Sequence, residues 1–229
     1  MNVSISAKKL LAATSLALAS LGFCAAALAQ VAATGGDAAR GQKKASTCIG
    51  CHGIVGYQAS FPEVHKVPMI AGQNAKYIVS ALTAYQKGER RHPGMRSIAA
   101  PMTEQDMADL AAYYQTLGGP RAELPKAPEL APSPKVAELL KKGNCASCHG
   151  ANFSAPIDGS YPKLSGQHPD YLYVALKSYQ VEKNPQVGRA NAIMRSQAAA
   201  FTHAELKAMA AYLGSLPGDL KTVPQSRFH

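Results

Sequence analysis

Apolar side chains recur with helical spacing in two places far apart in the chain. Ile78, Ala81, Leu82 and Tyr85 fall at i, i+3, i+4 and i+7, and Leu172, Ala175, Leu176 and Tyr179 repeat that spacing. Each set lines one face of an amphipathic helix. Further along, Met107, Leu110, Ala111 and Tyr114 are answered by Leu206, Met209, Ala210 and Leu213. Both of these later helices open on a capping signal, "TEQD" from Thr103 and "THAE" from Thr202, with Asp in the place of the usual Glu in the first. Shorter helices are predicted in "DAARGQKKAS" and "PKVAELLKKG". No stretch alternates apolar and polar positions as a half-buried strand does. The pattern predicts an all-α fold of three or four helices per copy, with long loops.

The correspondence runs beyond single helix faces. "IAGQNAKYIVSALTAYQ" (70–86) matches "LSGQHPDYLYVALKSYQ" (164–180) at an offset of 94, and "MRSIAAPMTEQDMADLAAYY" (95–114) matches "MRSQAAAFTHAELKAMAAYL" (194–213) at an offset of 99. Repetition on this scale is a duplicated domain. Between the copies, "GGPRAELPKAPELAPSP" (118–134) carries Pro120, Pro125, Pro128, Pro132 and Pro134, a composition that favours extended backbone and reads as a linker. The expected organisation is a leader at 1–29, a first domain at 30–117, the linker at 118–134 and a second domain at 135–229. A domain of roughly 90 residues is marginal for a core standing alone, so a bulky apolar group inside each would help to stabilise it.

The leader reading rests on Lys8 and Lys9, the apolar run after them and the small-residue end "ALA" at 27–29. These are the parts of a secretory signal peptide cleaved before Gln30. A membrane anchor is the alternative, and the small residues at the end argue against it. Cys24 follows Phe23 rather than a small residue, which does not suit a lipoprotein. Export would place the chain in an oxidising compartment, yet every cysteine outside the leader belongs to a repeated motif, so there is no separate disulfide framework. The net charge of +10 favours acidic partners or anionic surfaces. With no aromatic-basic interleaving, nucleic acid is not expected.

The repeated motifs are "CIGCHG" (48–53) and "CASCHG" (145–150). In C-x-x-C-H, two thiols on one turn of backbone add to the two vinyl groups of a haem, and the histidine is placed under the iron. Cys48, Cys51 and His52 would serve one haem, and Cys145, Cys148 and His149 the other. A zinc ribbon pairs CxxC units only ~15–20 residues apart. A thioredoxin-like CxxC wants a βαβ setting, and disulfides would leave the histidines without a purpose.

The repeat also sorts the candidates for the sixth iron ligand. Of the seven methionines, only Met95 has a methionine at the equivalent position, Met194. Both precede "RS", in a stretch expected to be a loop before the last helix. Met107 and Met209 fit helix-face packing, and Met69 and Met102 remain as alternatives. His65, His92, His168 and His203 align with Gly159, Asn191, Asn74 and Glu104, so none has a histidine counterpart, and an unmatched histidine is usually a surface residue. His/Met ligation at both irons is favoured, the arrangement of electron-transfer haems of raised potential. Pro68 and Pro162 are placed to orient the two ligand histidines through their carbonyls, or simply to turn the loop. Arg96 and Arg195 are either solvated or partners of a haem propionate.

The ordered set of these segments resembles the cytochrome c4 family of dihaem periplasmic cytochromes, across nearly all of the chain after the leader. The resemblance implies two tandem class I cytochrome c domains related by a pseudo-twofold axis, and two covalently bound haem c groups with His52/Met95 and His149/Met194 on iron. It implies a periplasmic electron carrier of a respiratory chain, without enzymatic activity. Its partners would be redox proteins, a terminal oxidase or else a cytochrome bc1 complex or a dehydrogenase, with peripheral association with the inner membrane. The rivals are the dihaem subunit of a dehydrogenase complex, or a dihaem enzyme such as a peroxidase or a thiosulfate-oxidising cytochrome, which needs an open iron site. One departure is the loop "IVGYQASFPEVHKV" (54–67), longer than its counterpart "ANFSAPIDGSY" (151–161).

Overall fold

The structure, a computed structural model, describes residues 35–118 and 125–224. The expected leader and residues 119–124 of the expected linker lie outside the described residues. The first copy holds α1 (Ala38–Lys44), α2 (Ser46–His52), β1 (Gln58–Ala59), β2 (His65–Lys66), α3 (Ala75–Gln86), β3 (Arg90–Arg91), α4 (Pro93–Ala99) and α5 (Glu104–Thr116). The second holds α6 (Pro134–Lys142), α7 (Cys145–His149), α8 (Pro169–Ser178), β4 (Gly188–Arg189), α9 (Ala192–Ala199) and α10 (His203–Ser215). Helices dominate in both, as the apolar pattern predicts. Among the described residues, none is long and apolar enough to cross a membrane.

In each copy the last helix is the platform. α1 and α3 pack on α5, and α6 and α8 pack on α10. The apolar faces identified from spacing supply the cores. Ile78, Leu110, Ala111 and Tyr114 are buried in the first copy, and Leu172, Leu206, Met209, Ala210 and Leu213 in the second. Thr103 with Asp106, and Thr202 with Glu205, both form complete capping boxes, so the shorter Asp closes the box as well as Glu does. α1 comes so close to α5 that a Cβ on Gly41 would lie 2.1 Å from the Asp109 carbonyl oxygen, which requires glycine there. At the same contact Asp109, fully buried, accepts from Arg40 Nε at 2.9 Å and Lys44 Nζ at 2.9 Å. The Arg40 and Lys44 cations hold its carboxyl well below the usual carboxylate range.

The described end of the linker lies against the second copy. Asn152 Nδ2 donates to the Pro125 carbonyl at 2.8 Å, and Tyr212 Oη donates to that of Leu130 at 2.8 Å. Ser133 then caps α6, with Pro134 at its first turn.

Strands are present where none was expected. β1 pairs antiparallel with β2 inside the 54–67 loop, and β3 pairs antiparallel with β4 across the two copies, Arg90 opposite Arg189. Each strand is two residues long, too short to leave an alternating pattern.

The boundary between the copies follows the repeat. Gln73 grips the backbone of Lys163, and Gln167, its equivalent, grips the backbone of Met69, the equivalent of Lys163. Lys177 pairs with Glu63 at 2.7 Å, and the Ala190 amide donates to the Glu89 carbonyl at 2.8 Å. The chain end returns to the first copy: the Lys221 amide donates to the Ala71 carbonyl, and Val223 packs on the first core. Gly72, at φ +84°, makes room for this return, since a Cβ there would lie 2.5 Å from the Asp219 carbonyl oxygen.

Candidate functional site

α2 and α7 carry the CxxCH motifs, so each pair of thiols and its histidine share one or two turns of helix. Cys48, Cys51, Cys145 and Cys148 are free. Burial pushes the Cys48 and Cys145 thiols above the usual range, which keeps them protonated.

Each motif histidine is held in one orientation by the loop that follows it. His52 Nδ1 lies 2.8 Å from the Pro68 carbonyl oxygen, and His149 Nδ1 lies 3.0 Å from that of Pro162. A carbonyl can only accept, so Nδ1 carries the hydrogen and Nε2 presents its lone pair. Burial lowers the basicity of both rings, which keeps them neutral. These are the tautomer and charge that an iron ligand requires, with the outer partner that orients it. Of the two readings of Pro68 and Pro162, the orienting one describes the structure.

Met95 and Met194 do not sit in open loops. Each is the third residue of a short helix, α4 and α9. His92 Nδ1 accepts the Met95 amide at 3.3 Å, and Asn191 Oδ1 accepts the Met194 amide at 3.0 Å. A histidine and an asparagine at equivalent positions thus perform the same N-cap. Sequence reasoning weighed His92 only as an unmatched ligand and missed this shared role. Arg90 and His92, which stand just before Met95, add a smaller lowering of the His52 basicity to that from burial. Met107 and Met209 are buried in the cores, as their helix-face positions predict.

The remaining histidines among the described residues are engaged elsewhere. His65 is buried, not a surface residue: Nδ1 bonds the Glu63 carbonyl at 2.8 Å and the ring stacks on Tyr171 of the other copy. His168 is the N-cap residue of α8, and His203 opens α10. Arg96 is exposed and Arg195 pairs with Glu182 at 3.0 Å. Two further arginines, Arg90 and Arg189, lie among four tyrosines at the domain boundary. Their signal was available: each stands five residues before its methionine, at equivalent positions of the repeat.

The donor set fits covalent haem in both copies: paired free thiols on one turn, a neutral histidine with Nε2 available, and a methionine whose segment is capped in place. Comparison with known proteins agrees. The family model described as cytochrome c matches residues 38–118 and 134–217. The chain is 34% identical over 190 residues to the cytochrome c4 of Thiocapsa roseopersicina, covering 79% of this chain and 93% of that one. It is 28% identical over 183 residues to a thiosulfate dehydrogenase electron acceptor of Thiomonas intermedia, covering 76% of this chain and 80% of that one. A crystal structure of reduced cytochrome c4 from Pseudomonas stutzeri superposes with a TM-score of 0.59 at 27% identity, covering 80% of this chain and 100% of that one.

Proposed function

We propose that this chain, which belongs to the cytochrome c4 family, is a periplasmic electron carrier that delivers electrons to a terminal oxidase. The family assignment brings two cytochrome c domains with two covalently bound haem c groups, in an electron-transfer protein that is not an enzyme. On this reading Cys48 and Cys51 bind one haem and Cys145 and Cys148 the other, with His52/Met95 and His149/Met194 as the axial pairs. The leader at 1–29 directs export, and the domains occupy 30–117 and 135–229 about the 118–134 linker.

The observation that carries the reading is the paired orientation of His52 and His149 by Pro68 and Pro162, repeated in both copies. Bound haem supplies a one-electron couple, and protein ligands on both sides of each iron leave no open position for a substrate. The chain's part is to fix the ligands, exclude water from them and present a surface to partners. Without Lys8 and Lys9 of the leader the net charge of +10 becomes +8 (+10 − 2), which favours docking on an acidic face of a partner protein or on an anionic membrane surface.

A second reading is favoured by one observation, the resemblance to a thiosulfate dehydrogenase electron acceptor. Here the chain collects electrons from a dehydrogenase. Stopped-flow oxidation of the reduced protein by solubilised terminal oxidase, beside reduction of the oxidised protein by thiosulfate dehydrogenase, separates the two. Fast, saturable and salt-sensitive oxidation by the oxidase is expected. Fast reduction by the dehydrogenase with no oxidation by the oxidase would replace the first reading with the second.

A further inference from the structure

Tyr114 of α5 and Leu213 of α10 stand at equivalent positions of the repeat, as do Cys48 and Cys145. In each domain the two share a core: Cys48 packs against the cluster that holds Tyr114, and Cys145 against the cluster that holds Leu213. The place beside the first thiol of each motif is thus the same, but only the first domain puts a hydroxyl there. Tyr114 is 5% exposed, and among the described residues its Oη has no hydrogen-bond partner. The residue is fixed in position. Its carbonyl accepts from the Gly72 amide at 2.8 Å, and its ring meets that of Tyr113 edge-on, with centroids 5.3 Å apart.

The hydroxyl and the thiol sense one another. Burial raises the Tyr114 hydroxyl most, and Cys48 raises it further. Burial also raises the Cys48 thiol, and the Thr47 and Tyr114 hydroxyls partly offset that. Tyr114 Oη and Cys48 Sγ therefore lie close together, without the alignment of a hydrogen bond. The other hydroxyl near this sulfur, Thr47 Oγ1 at 4.0 Å, belongs to an exposed residue and has water to bond. The Tyr114 oxygen is closed off from water. A buried hydroxyl without an acceptor carries its desolvation cost. Leu213 fills the equivalent place without that cost.

Haem attachment changes what the sulfur can do. When the Cys48 thiol adds across a vinyl group, the S–C bond forms and the S–H hydrogen passes to the other vinyl carbon, with no net oxidation or reduction. The sulfur that remains is a thioether, which has no proton and can only accept. We propose that Tyr114 donates its hydroxyl proton to the Cys48 thioether sulfur, a bond that the second haem lacks because Leu213 stands in its place, and that this bond raises the potential of the first haem alone. The proposal rests on the haem seat assigned to Cys48 above. Donation to the sulfur draws electron density from the ring that carries it, which favours ferrous iron. The apolar surroundings strengthen the bond.

NMR of the haem-loaded protein tests this, with a redox titration in which the methyl groups of each haem report that haem's own midpoint. In the reduced protein the Tyr114 hydroxyl proton is expected as a resolved, slowly exchanging resonance with cross-peaks to the Cys48 β protons. Tyr114→Phe removes the oxygen and keeps the ring. It is expected to lose that resonance, to lower the midpoint of the haem on Cys48 and to leave the other midpoint where it was. It is also expected to shift the C–S stretching band of one haem in resonance Raman. A merely structural role of the ring is retained by Phe and would move neither the midpoint nor the band. A hydroxyl proton in free exchange with water, or a midpoint unchanged in Tyr114→Phe, would overturn the proposal, as would equal shifts at both haems. The wild-type resonance needs no variant. Tyr114→Leu, which copies the second domain, is expected to give the same shift and serves if Phe fails to fold. Haem content by mass spectrometry separates the two levels of the argument. Two haems per chain with an unshifted midpoint overturn the Tyr114 bond and leave the seat standing, whereas a chain without haem on Cys48 and Cys51 overturns both.

Discussion

Gln73 and Gln167 hold the two domains together by the same pair of bonds, applied in opposite directions. Gln73 Nε2 donates to the Lys163 carbonyl at 3.2 Å while Oε1 accepts the Lys163 amide at 2.9 Å. Gln167 Nε2 donates to the Met69 carbonyl at 2.9 Å while Oε1 accepts the Met69 amide at 2.9 Å. Each glutamine thus behaves as one more rung of backbone pairing across the boundary, and both are buried. Removing one leaves a peptide group without its partner, at a cost of about 1–3 kcal/mol. Gln73→Ala and Gln167→Ala are each expected to lower the denaturation midpoint. Together they are expected to raise the radius of gyration in small-angle X-ray scattering as the domains part, and an unchanged radius in the double variant would show that the boundary is held by other contacts.

The N-cap of α4 predicts a contrast between two substitutions of one residue. Asn191 already performs in the second domain the role that His92 performs in the first. His92→Asn is therefore expected to keep both the fold and the methionine-dependent near-infrared absorbance. His92→Ala loses the cap, costs about 1 kcal/mol and loosens the Met95 segment. Urea denaturation and the optical spectrum of the two variants decide it. Equal behaviour of Asn and Ala would show that the cap is not what fixes the segment.

Asp109 predicts how the first domain responds to acid. Its carboxyl is held below the usual range by Arg40 first, with Lys44 adding to it. A depressed pKa in the folded state gives stability that is present above the unfolded value and is lost as the pH falls through the folded one. The contribution is therefore complete near neutrality and starts to fall only below about pH 4. Asp109→Asn is expected to cost about 2–3 kcal/mol at neutral pH, the lower side for a broken buried pair because Arg40 and Lys44 still reach water. The variant should also lose part of the acid dependence of the wild-type melting temperature. A variant whose stability follows pH as the wild type does would remove Asp109 from this account.

These tests bear on features that differ in how far sequence reveals them. The helix faces through Ile78 and Leu172, the capping boxes at Thr103 and Thr202, and the duplicated domain follow from local periodicity and self-comparison, and the structure has all of them. Pro68 and Pro162 were legible as candidates because they recur at equivalent positions. The pairing of β3 with β4 was not legible, because two residues carry no period. The capping of Met95 by His92 was missed because histidine is an uncommon N-cap, and only its alignment with Asn191 gives it away. Arg96 was weighed as a propionate partner through adjacency to Met95. Neighbours on a helix point about 100° apart, so adjacency to a candidate ligand does not by itself bring a side chain to the same group. The Arg90–Tyr171–Arg189 cluster and the return of Val223 to the first core join residues roughly a hundred positions apart, a relation that no local pattern encodes.

The central claim is that Met95 and Met194 complete two equivalent iron sites. It is tested most directly by the near-infrared absorbance of the fully oxidised, haem-loaded protein, in the wild type, in Met95→Ala, in Met194→Ala and in the core control Met209→Ala. The account predicts that each of the first two substitutions removes about half of the Met-ligated band, since the two sites are alike. Met209→Ala should cost about 2–4 kcal/mol of stability and leave the band whole. A band that stays at full strength in Met95→Ala or in Met194→Ala would contradict the account at that iron.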